Sequence, residues 1–317
     1  MVTSAAGLRI DFRAMYGNIA VLVDGDHGVE NVGEVMGWFA DWERRFSRFL
    51  PRSELAQLNT NPAETVPISP LLFDVLSTAL YAAHVTDGLV TPTVLDALER
   101  AGYDHSFELL TAVTKTAPRR APVPAPGHGS IRLQRAQRLV TRPPGLRLDL
   151  GGIVKGWAAD RTAARLAGHT AALIDADGDI AVTGPRADGS PWPITIASPR
   201  PGDPPFGVLP LYSGGIATCA PDRRRWQQGE RSQHHIIDPR TGAPAANDVH
   251  SATVVAPSAS EAEAAAKAVV LLGSVEGLAW LERQPAYAGL IVRHDGELVR
   301  STRLAAFAPA DSFAPLP

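Results

Sequence analysis

The chain has 317 residues, of which 45% are hydrophobic and 20% are charged, and its formal net charge is −3. This composition is typical of a globular protein with enough apolar material for a core, and the near-neutral charge argues against a nucleic-acid-binding protein. The single cysteine, Cys219, excludes an intrachain disulfide and a cysteine-based metal cluster built from one chain.

No targeting or membrane-spanning segment is predicted. Residues 1–11 lack the continuous apolar stretch of about 7–15 residues that secretory signals contain. No run of the sequence approaches the roughly 18 apolar residues of a membrane span. We therefore expect a cytoplasmic protein without membrane insertion.

The first predicted elements are a strand and two helices. Residues 19–23 indicate a strand closed by Asp24-Gly25. Apolar residues at helical spacing then predict one amphipathic helix, with an inner face of Val29, Val32, Met36, Phe39, Trp42 and Phe46. Ser69 as N-cap and Pro70 at the first helical position predict the second helix. Its predicted inner face comprises Leu72, Val75, Leu76, Ala79 and Ala83.

A proline-rich stretch separates this helical part from a strand-rich middle. Residues 116–129 carry four prolines and no periodicity, which is typical of an exposed loop. Strands are predicted near 131–133, 139–141, 146–150, 172–175, 180–183 and 194–197, with a helix at 155–166. The last predicted elements are helices at 258–272 and 275–281 and a hairpin of 290–293 with 297–300, turned by Asp295-Gly296. The pattern predicts an α/β fold of the mixed α+β kind.

One segment combines a strand, two glycines and a helix. Residues 146–150 are followed by Gly151-Gly152 and then by the helix that contains Lys155. Such a backbone presents unpaired N–H groups and the positive end of a helix dipole to an anion, and the Lys155 side chain is long enough to reach a phosphate. Asp149 at the strand end could orient a ribose or adenine group or cap the next turn. The spacing matches neither a P-loop nor the common dinucleotide-binding fingerprint.

A second segment, His234-His-Ile-Ile-Asp-Pro-Arg-Thr-Gly242, offers a general base, because imidazole titrates near neutral pH. Adjacent residues of a strand point to opposite faces, so only one of His234 and His235 can face a site. The five residues from Asp238 onward are typical of a turn with proline in its second position.

Three aspartates, Asp175, Asp177 and Asp179, alternate with smaller residues. If they share one strand face, they could bind a metal ion or accept hydrogen bonds from hydroxyl groups.

These segments, in this order, resemble the flavin transferases, which are magnesium-dependent enzymes that take FAD and attach FMN covalently to a threonine or serine of another protein. The resemblance extends from about Met15 to about Gly273. It also rests on Phe46-Ser-Arg-Phe49, Ser53-Glu-Leu-Ala-Gln-Leu-Asn59, Asp87-Gly-Leu-Val-Thr-Pro-Thr93, Asp175-Ala-Asp-Gly-Asp-Ile180, Gly214-Gly-Ile-Ala-Thr218 and Ala262-Glu-Ala-Ala-Ala-Lys-Ala268. It implies a single domain over residues 1–317, with mixed sheets flanked by helices and a proline-rich loop at about 116–129.

The resemblance also implies roles for individual residues. It favours His235 over His234 as the catalytic base. It implies FAD contacts at Met15, Phe49, Ala101, Gly102, Tyr103, Asp149, Lys155 and Ile236.

A magnesium ion is implied at the main-chain oxygen of Gly152 and at two side chains of the helix at 258–272. Family members usually carry Asp and, four residues later, Thr on this helix, whereas the matching residues here are Glu263 and Lys267. A glutamate and a lysine four residues apart also form an ordinary helical ion pair.

The function that the resemblance implies is transfer of FMN from FAD to a Thr or Ser hydroxyl of an acceptor protein, with AMP leaving and Mg²⁺ required. Two alternatives stay open. Glu263, Lys267 and Thr91 motivate a non-catalytic FAD-binding protein. Attack by water in place of the protein hydroxyl would make the chain a metal-dependent FAD pyrophosphatase giving FMN and AMP.

Overall fold

The structure, a computed structural model, describes residues 7–24, 32–107, 109–110, 121–198 and 204–307. Its strands are β1 Gly7–Ala14, β2 Gly17–Asp24, β3 Thr65–Pro67, β4 Arg132–Gln134, β5 Leu139–Thr141, β6 Ala171–Ala176, β7 Asp179–Val182, β8 Trp192–Ile196, β9 Gly207–Leu211, β10 Gly215–Cys219, β11 Arg225–Gln228, β12 Arg231–His234, β13 Ile237–Asp238, β14 Ala243–Pro244, β15 Val249–Ala256, β16 Ala288–Arg293 and β17 Leu298–Arg300. Its α-helices are α1 Val35–Phe46, α2 Glu54–Thr60, α3 Pro70–Val85, α4 Leu95–Arg100, α5 Val154–Leu166, α6 Ala259–Leu272, α7 Ser274–Arg283 and α8 Leu304–Phe307. Single 3₁₀ turns lie at Pro92–Val94, His128–Ser130 and Pro221–Arg223.

Helix α3 forms as its sequence predicts. The Ser69 hydroxyl accepts a hydrogen bond from the Leu72 N–H at 3.1 Å, and Pro70 begins the helix without a backbone donor to satisfy. All five residues of its predicted inner face are buried. The helix predicted at 258–272, with Ser258 as its N-cap in the structure, and the hairpin turn at Asp295-Gly296 are confirmed as well.

Two predictions about local structure are wrong. Residues 146–150 form no strand, because the Asn59 side chain takes the place of a neighbouring strand by bonding both the N–H and the C=O of Leu148. Met36 is half exposed, at 50%, because the buried position at the start of α1 belongs to Val35. The predictions at Gly25, Val29 and 116–120 lie outside the described residues.

Tertiary contacts group the chain into two compact units. The first unit comprises residues 1–39, 155–220 and 247–317, and the second comprises 40–154 and 221–246. The predicted mixture of helices and sheets is confirmed, and every strand pairing among the described residues is antiparallel. The single domain over 1–317 stays a prediction.

An eight-stranded sheet forms the first unit, in the order β1-β2-β6-β7-β10-β15-β16-β17, together with the β8-β9 hairpin. Helix α6 packs against β10 and β15 and is buried along nearly its whole length. Helix α7 packs against α6 and β16. An apolar cluster joins the sheet to the hairpin, and its large buried members include Leu173, Trp192, Ile194, Phe206, Leu209, Leu290 and Leu304.

Short elements form the second unit. These are the three-stranded sheet β3-β5-β4 and the ribbons β11-β12 and β13-β14, with helices α2 to α4. Residues 121–127 form no helix or strand, as predicted for the proline-rich stretch. This stretch packs on the turn after β13: Ala125 donates to the Pro239 carbonyl at 2.8 Å, and a Cβ at Gly242 would lie 1.9 Å from the Val123 oxygen. Among the described residues, no helix combines the length and apolarity needed to cross a membrane.

Candidate active site

Helices α5 and α6 of the first unit meet at a glycine. A Cβ at Gly156 would lie 2.7 Å from the Ala259 carbonyl oxygen, so only glycine allows this approach. The Asp160 carboxylate accepts from the N–H groups of Ala259 and Ser260 at 2.7 and 2.9 Å, which satisfies two donors at the start of α6. One turn further along α6, Glu263 Oε2 accepts from the Gly156 N–H at 3.0 Å. These contacts fix Glu263 beside the first turn of α5.

Five ionisable side chains gather around this junction, and we call them the charged cluster: Lys155, Asp177, Asp179, Glu263 and Lys267. Lys155 Nζ lies 3.0 Å from Asp179 Oδ2 and 3.4 Å from Asp177 Oδ2. Lys267 Nζ lies 3.5 Å from Glu263 Oε1. Since each side chain is exposed by no more than 25%, these ion pairs are largely withdrawn from water.

Burial and the nearby charge of Glu263 raise the pKa of Asp179 to about 7, although Lys155 and Lys267 oppose this shift. The Cys219 thiol stands in the same surroundings, and burial raises its pKa to about 12. Cys219 is therefore a neutral thiol near pH 7, consistent with a packing role.

Asp175, Asp177 and Asp179 do not share one strand face, which was the arrangement considered from the sequence. Asp177 lies in the β6-β7 turn with a φ of 61°, and Asp175 Oδ1 instead accepts from the Gly178 N–H at 2.7 Å. The Asp177 N–H bonds the Asn18 carbonyl at 2.9 Å, which ties this turn to the β1-β2 hairpin. The predicted FAD contact Met15 lies in that hairpin turn, is buried, and has a φ of 52°. A left-handed conformation at a non-glycine residue carries a cost that functional sites often retain.

Three N–H groups of the glycine turn before α5 have acceptors within the turn, contrary to the expectation of unpaired donors. The Gly151 N–H donates to Asp149 Oδ1 at 2.9 Å. The N–H groups of Ile153 and Val154 both donate to the Leu150 carbonyl, at 3.0 and 2.9 Å. Asp149 therefore caps the turn, which is one of its two predicted roles.

The other carboxylate oxygen of Asp149 meets a residue that sequence reasoning missed. Arg48 Nε lies 2.9 Å from Asp149 Oδ2, and the exposed fractions of the two side chains are only 7% and 11%. The Arg48 guanidinium carbon also lies 4.1 Å from the Phe49 ring centroid and 4.7 Å from the Tyr103 ring centroid. Arg48 thus combines a nearly buried ion pair with cation–π contacts to two predicted flavin-binding residues.

The predicted flavin-binding aromatics belong to one cluster of the second unit. The Phe49 and Tyr103 ring centroids are 5.7 Å apart, and Tyr103 contacts Trp226 at 5.2 Å. Trp226 Nε1 donates to the Ala101 carbonyl at 2.8 Å, and Gly102 has a φ of 94° that ends helix α4. Ala101 and Tyr103 are core residues, whereas Phe49 is half-buried.

The two histidines have different environments, although His235 follows β12 and is not part of a strand. His234 is buried. Its Nε2 contacts the Ala245 carbonyl at 2.9 Å and its Nδ1 accepts from the Ile236 N–H at 3.3 Å, which together select the neutral ring with the proton on Nε2. His235 is half-buried. Ile236 is buried, and its carbonyl accepts from the Ala245 N–H at 2.9 Å.

We expect His234 to make stability depend on pH. Burial, with a smaller contribution from Arg225, lowers the pKa of His234 from its ordinary value of 6.5, although the Ala245 carbonyl opposes the shift. As pH falls, the unfolded chain takes up this proton first, so the free energy of unfolding drops below pH 6.5 and stops dropping below the folded-state pKa. Urea unfolding across this interval should show a shallower pH slope in His234→Gln than in the wild type. The exposed control His169→Gln should keep the wild-type slope, and equal slopes in wild type and His234→Gln would contradict the assignment.

The structure brings together part of the predicted site in each unit. Lys155, Glu263 and Lys267 lie in the charged cluster of the first unit. Met15 also belongs to the first unit but lies outside this cluster, in the β1-β2 turn. Phe49, Ala101, Gly102, Tyr103, Asp149, Gly152, His235 and Ile236 belong to the second unit.

The residues predicted to hold magnesium fit that role poorly. Lys267 carries an ammonium with three donors and no acceptor, so it offers no lone pair to a metal ion. Both oxygens of Glu263 already have partners, the Gly156 N–H and Lys267 Nζ. Among the described residues, no group of three or more His, Cys, Asp and Glu side chains is arranged to hold a metal ion.

Comparison with known proteins points to one family. A model described as the ApbE family matches residues 14–291. A Treponema pallidum protein named FAD:protein FMN transferase is 29% identical over 77% of this chain and 71% of its own length. A Haemophilus influenzae protein of the same name is 27% identical over 84% of this chain and 79% of its own length.

Solved structures give the same fold. The crystal structure of the ApbE protein from Thermotoga maritima matches with a TM-score of 0.82 and 26% identity, and covers 95% of this chain and 99% of that chain. The flavin transferase ApbE from Vibrio cholerae matches with a TM-score of 0.76 over 96% of this chain and 100% of that chain, at 23% identity.

Proposed function

We propose that this chain, which belongs to the ApbE family, transfers FMN from FAD to a threonine or serine hydroxyl of an acceptor protein. The observation that carries the proposal is the charged cluster, in which Lys155 and Glu263 from two distant sequence blocks share one nearly buried site. The names of the related proteins support the same activity.

In the proposed reaction, the acceptor hydroxyl oxygen attacks the phosphorus on the FMN side of FAD. A new oxygen–phosphorus bond forms, the bond from this phosphorus to the bridging oxygen breaks, and AMP leaves with that oxygen. The hydroxyl proton passes to His235, the half-buried member of the histidine pair. His234 is held neutral by its two hydrogen bonds and serves as a fixed support.

Flavin recognition is assigned to the second unit. We propose that Phe49 and Tyr103 contact the isoalloxazine ring, since aromatic faces suit a flat heterocycle. A flavin contact at Met15 stays a prediction of the family resemblance. Lys155 supplies positive charge for the pyrophosphate. The acceptor protein is a proposed partner, and a cytoplasmic location stays a prediction.

Magnesium dependence also stays a prediction of the family resemblance. Because Glu263 and Lys267 fit a resident ion poorly, no step of the proposed reaction passes through magnesium.

We expect FAD to bind more tightly than FMN or riboflavin, because only FAD carries the pyrophosphate that Lys155 addresses. One charge-assisted hydrogen bond contributes about 1.5–3 kcal/mol, so the preference should be about tenfold or more. Calorimetric titration of each flavin measures it, and Lys155→Met should bring the three affinities closer. Equal affinities in the wild type would contradict the pyrophosphate part of the proposal.

One assay separates the proposed function from its alternatives. The protein is incubated with FAD, Mg²⁺ and an acceptor protein, and the products are resolved on a denaturing gel and by chromatography. A fluorescent acceptor band with AMP supports the transferase. Free FMN with AMP indicates a pyrophosphatase, and unchanged FAD that remains bound indicates a non-catalytic flavin-binding protein.

A further inference from the structure

The ion pair between Glu263 and Lys267 lies where the family resemblance implies a divalent cation. Lys267 Nζ is 3.5 Å from Glu263 Oε1, and the exposed fractions of the two side chains are 15% and 7%. The other oxygen of Glu263 is bound by the Gly156 N–H. The Glu263 carboxylate is therefore already neutralised and hydrogen-bonded within the first unit.

A divalent ion at this carboxylate would meet the lysine directly. Magnesium binds oxygen at about 2.0–2.1 Å, so an ion on Glu263 Oε1 would lie within about 6 Å of Lys267 Nζ. Like charges at that distance repel strongly where water is largely excluded. A lysine also offers no lone pair that would compensate while it remains protonated.

The choice of lysine fits a specific role for a compact cation. The chain contains 3 lysines, at positions 115, 155 and 267, against 27 arginines. Two of the three stand in the charged cluster, each with a nearly buried carboxylate as partner. An arginine at 267 would carry a larger, planar head group that fits a confined place beside one carboxylate oxygen less well.

We propose that the ammonium of Lys267 takes the place of a resident divalent cation beside Glu263, so that the FAD-free chain binds no divalent metal ion at this carboxylate. This deepens the proposed function, since it names the group that holds positive charge in the charged cluster of a flavin transferase. The tests below measure metal binding without FAD and do not depend on activity.

The first test is titration of the FAD-free wild-type chain with MnCl₂, followed by electron paramagnetic resonance of the free ion. We expect no site that binds one Mn²⁺ per chain and depends on Glu263. A one-to-one site in the wild type that disappears in Glu263→Gln would overturn the proposal. A site that survives Glu263→Gln lies elsewhere and leaves the proposal intact.

The second test removes the ammonium. Lys267→Thr replaces it with a hydroxyl that can bind a metal ion, and Mn²⁺ affinity should rise at least about 100-fold above that of the wild type. Lys155→Met is the matched control, because it removes one positive charge from the same cluster and leaves the Glu263–Lys267 pair in place. It should gain no comparable site.

Circular dichroism establishes which variants are folded before titration. A folded Lys267→Thr without increased affinity, or an equal increase in Lys155→Met, would overturn the proposal. If Lys267→Thr does not fold, the wild-type and Glu263→Gln titrations decide the question alone. If the metal titrations give the expected results but the wild-type chain transfers no FMN, the proposed function is refuted and this inference stands.

Discussion

His235→Ala should lower FMN transfer by about 10²–10⁴-fold, the usual span for loss of a general base. FAD binding should stay nearly unchanged, because the substitution removes a proton acceptor and leaves the proposed pyrophosphate and ring contacts in place. Initial rates at saturating FAD and acceptor, measured beside calorimetric FAD affinity, separate the two effects.

The neighbouring histidine provides the control. His234→Gln should lower transfer much less than His235→Ala, although it should lower stability, because the buried His234 bonds the Ala245 carbonyl and the Ile236 N–H. Equal losses of transfer in the two variants, or an unfolded His235→Ala, would mean that both histidines are structural and that the base lies elsewhere.

Arg48→Met should destabilise the folded chain by about 3 kcal/mol. The substitution leaves the nearly buried Asp149 carboxylate without its cation, and breaking such a pair from one side commonly costs about 3–5 kcal/mol. It also removes the guanidinium from its contacts with the Phe49 and Tyr103 rings. Urea unfolding measures the loss as a lower midpoint at unchanged m-value.

Arg44→Met tests whether any lost arginine has this effect. Arg44 pairs with Asp41 at the surface, with its side chain 69% exposed, so this variant should lose less than about 1 kcal/mol. The double variant Arg48→Met/Asp149→Asn should lose less stability than the two single variants together, because the unpaired charge is gone. A loss below about 1 kcal/mol in Arg48→Met would show that the ion pair is dispensable.

Helix boundaries with local signals could be predicted from the sequence. The Ser69 hydroxyl bonds an N–H three residues ahead, and Ser258 does the same for Glu261, so the neighbouring residues alone determine these N-caps. The hairpin turned by Asp295-Gly296 is equally local.

Residues 146–150 show why other predictions failed. Their apolar alternation is typical of a strand, but their partner is the amide of Asn59, 89 residues away in sequence from Leu148. The role of Arg48 could not be predicted for the same reason. Arg48 lies within residues 46–49, which support the family resemblance, yet nothing near it in the sequence indicates that its partner is Asp149.

The expectation of unpaired N–H groups in the glycine turn was wrong for a different reason. The pattern of glycines correctly indicated a tight turn before a helix, and Asp149 and Leu150 accept hydrogen bonds from the N–H groups of that turn. Which acceptors satisfy a turn depends on its exact backbone geometry, and composition alone does not determine it. Lys155 and Lys267, to which the family resemblance gave an FAD contact and a metal position, both lie in the charged cluster.

The most direct test of the proposed function is the stoichiometry of one reaction. FAD, Mg²⁺ and the protein are incubated with an acceptor that a related FAD:protein FMN transferase modifies in a parallel reaction, and AMP, free FMN and acceptor mass are measured together. We expect one AMP for each acceptor molecule that gains one FMN, with no accumulation of free FMN. AMP and free FMN in equal amounts, or unchanged FAD, beside an unmodified acceptor would contradict it.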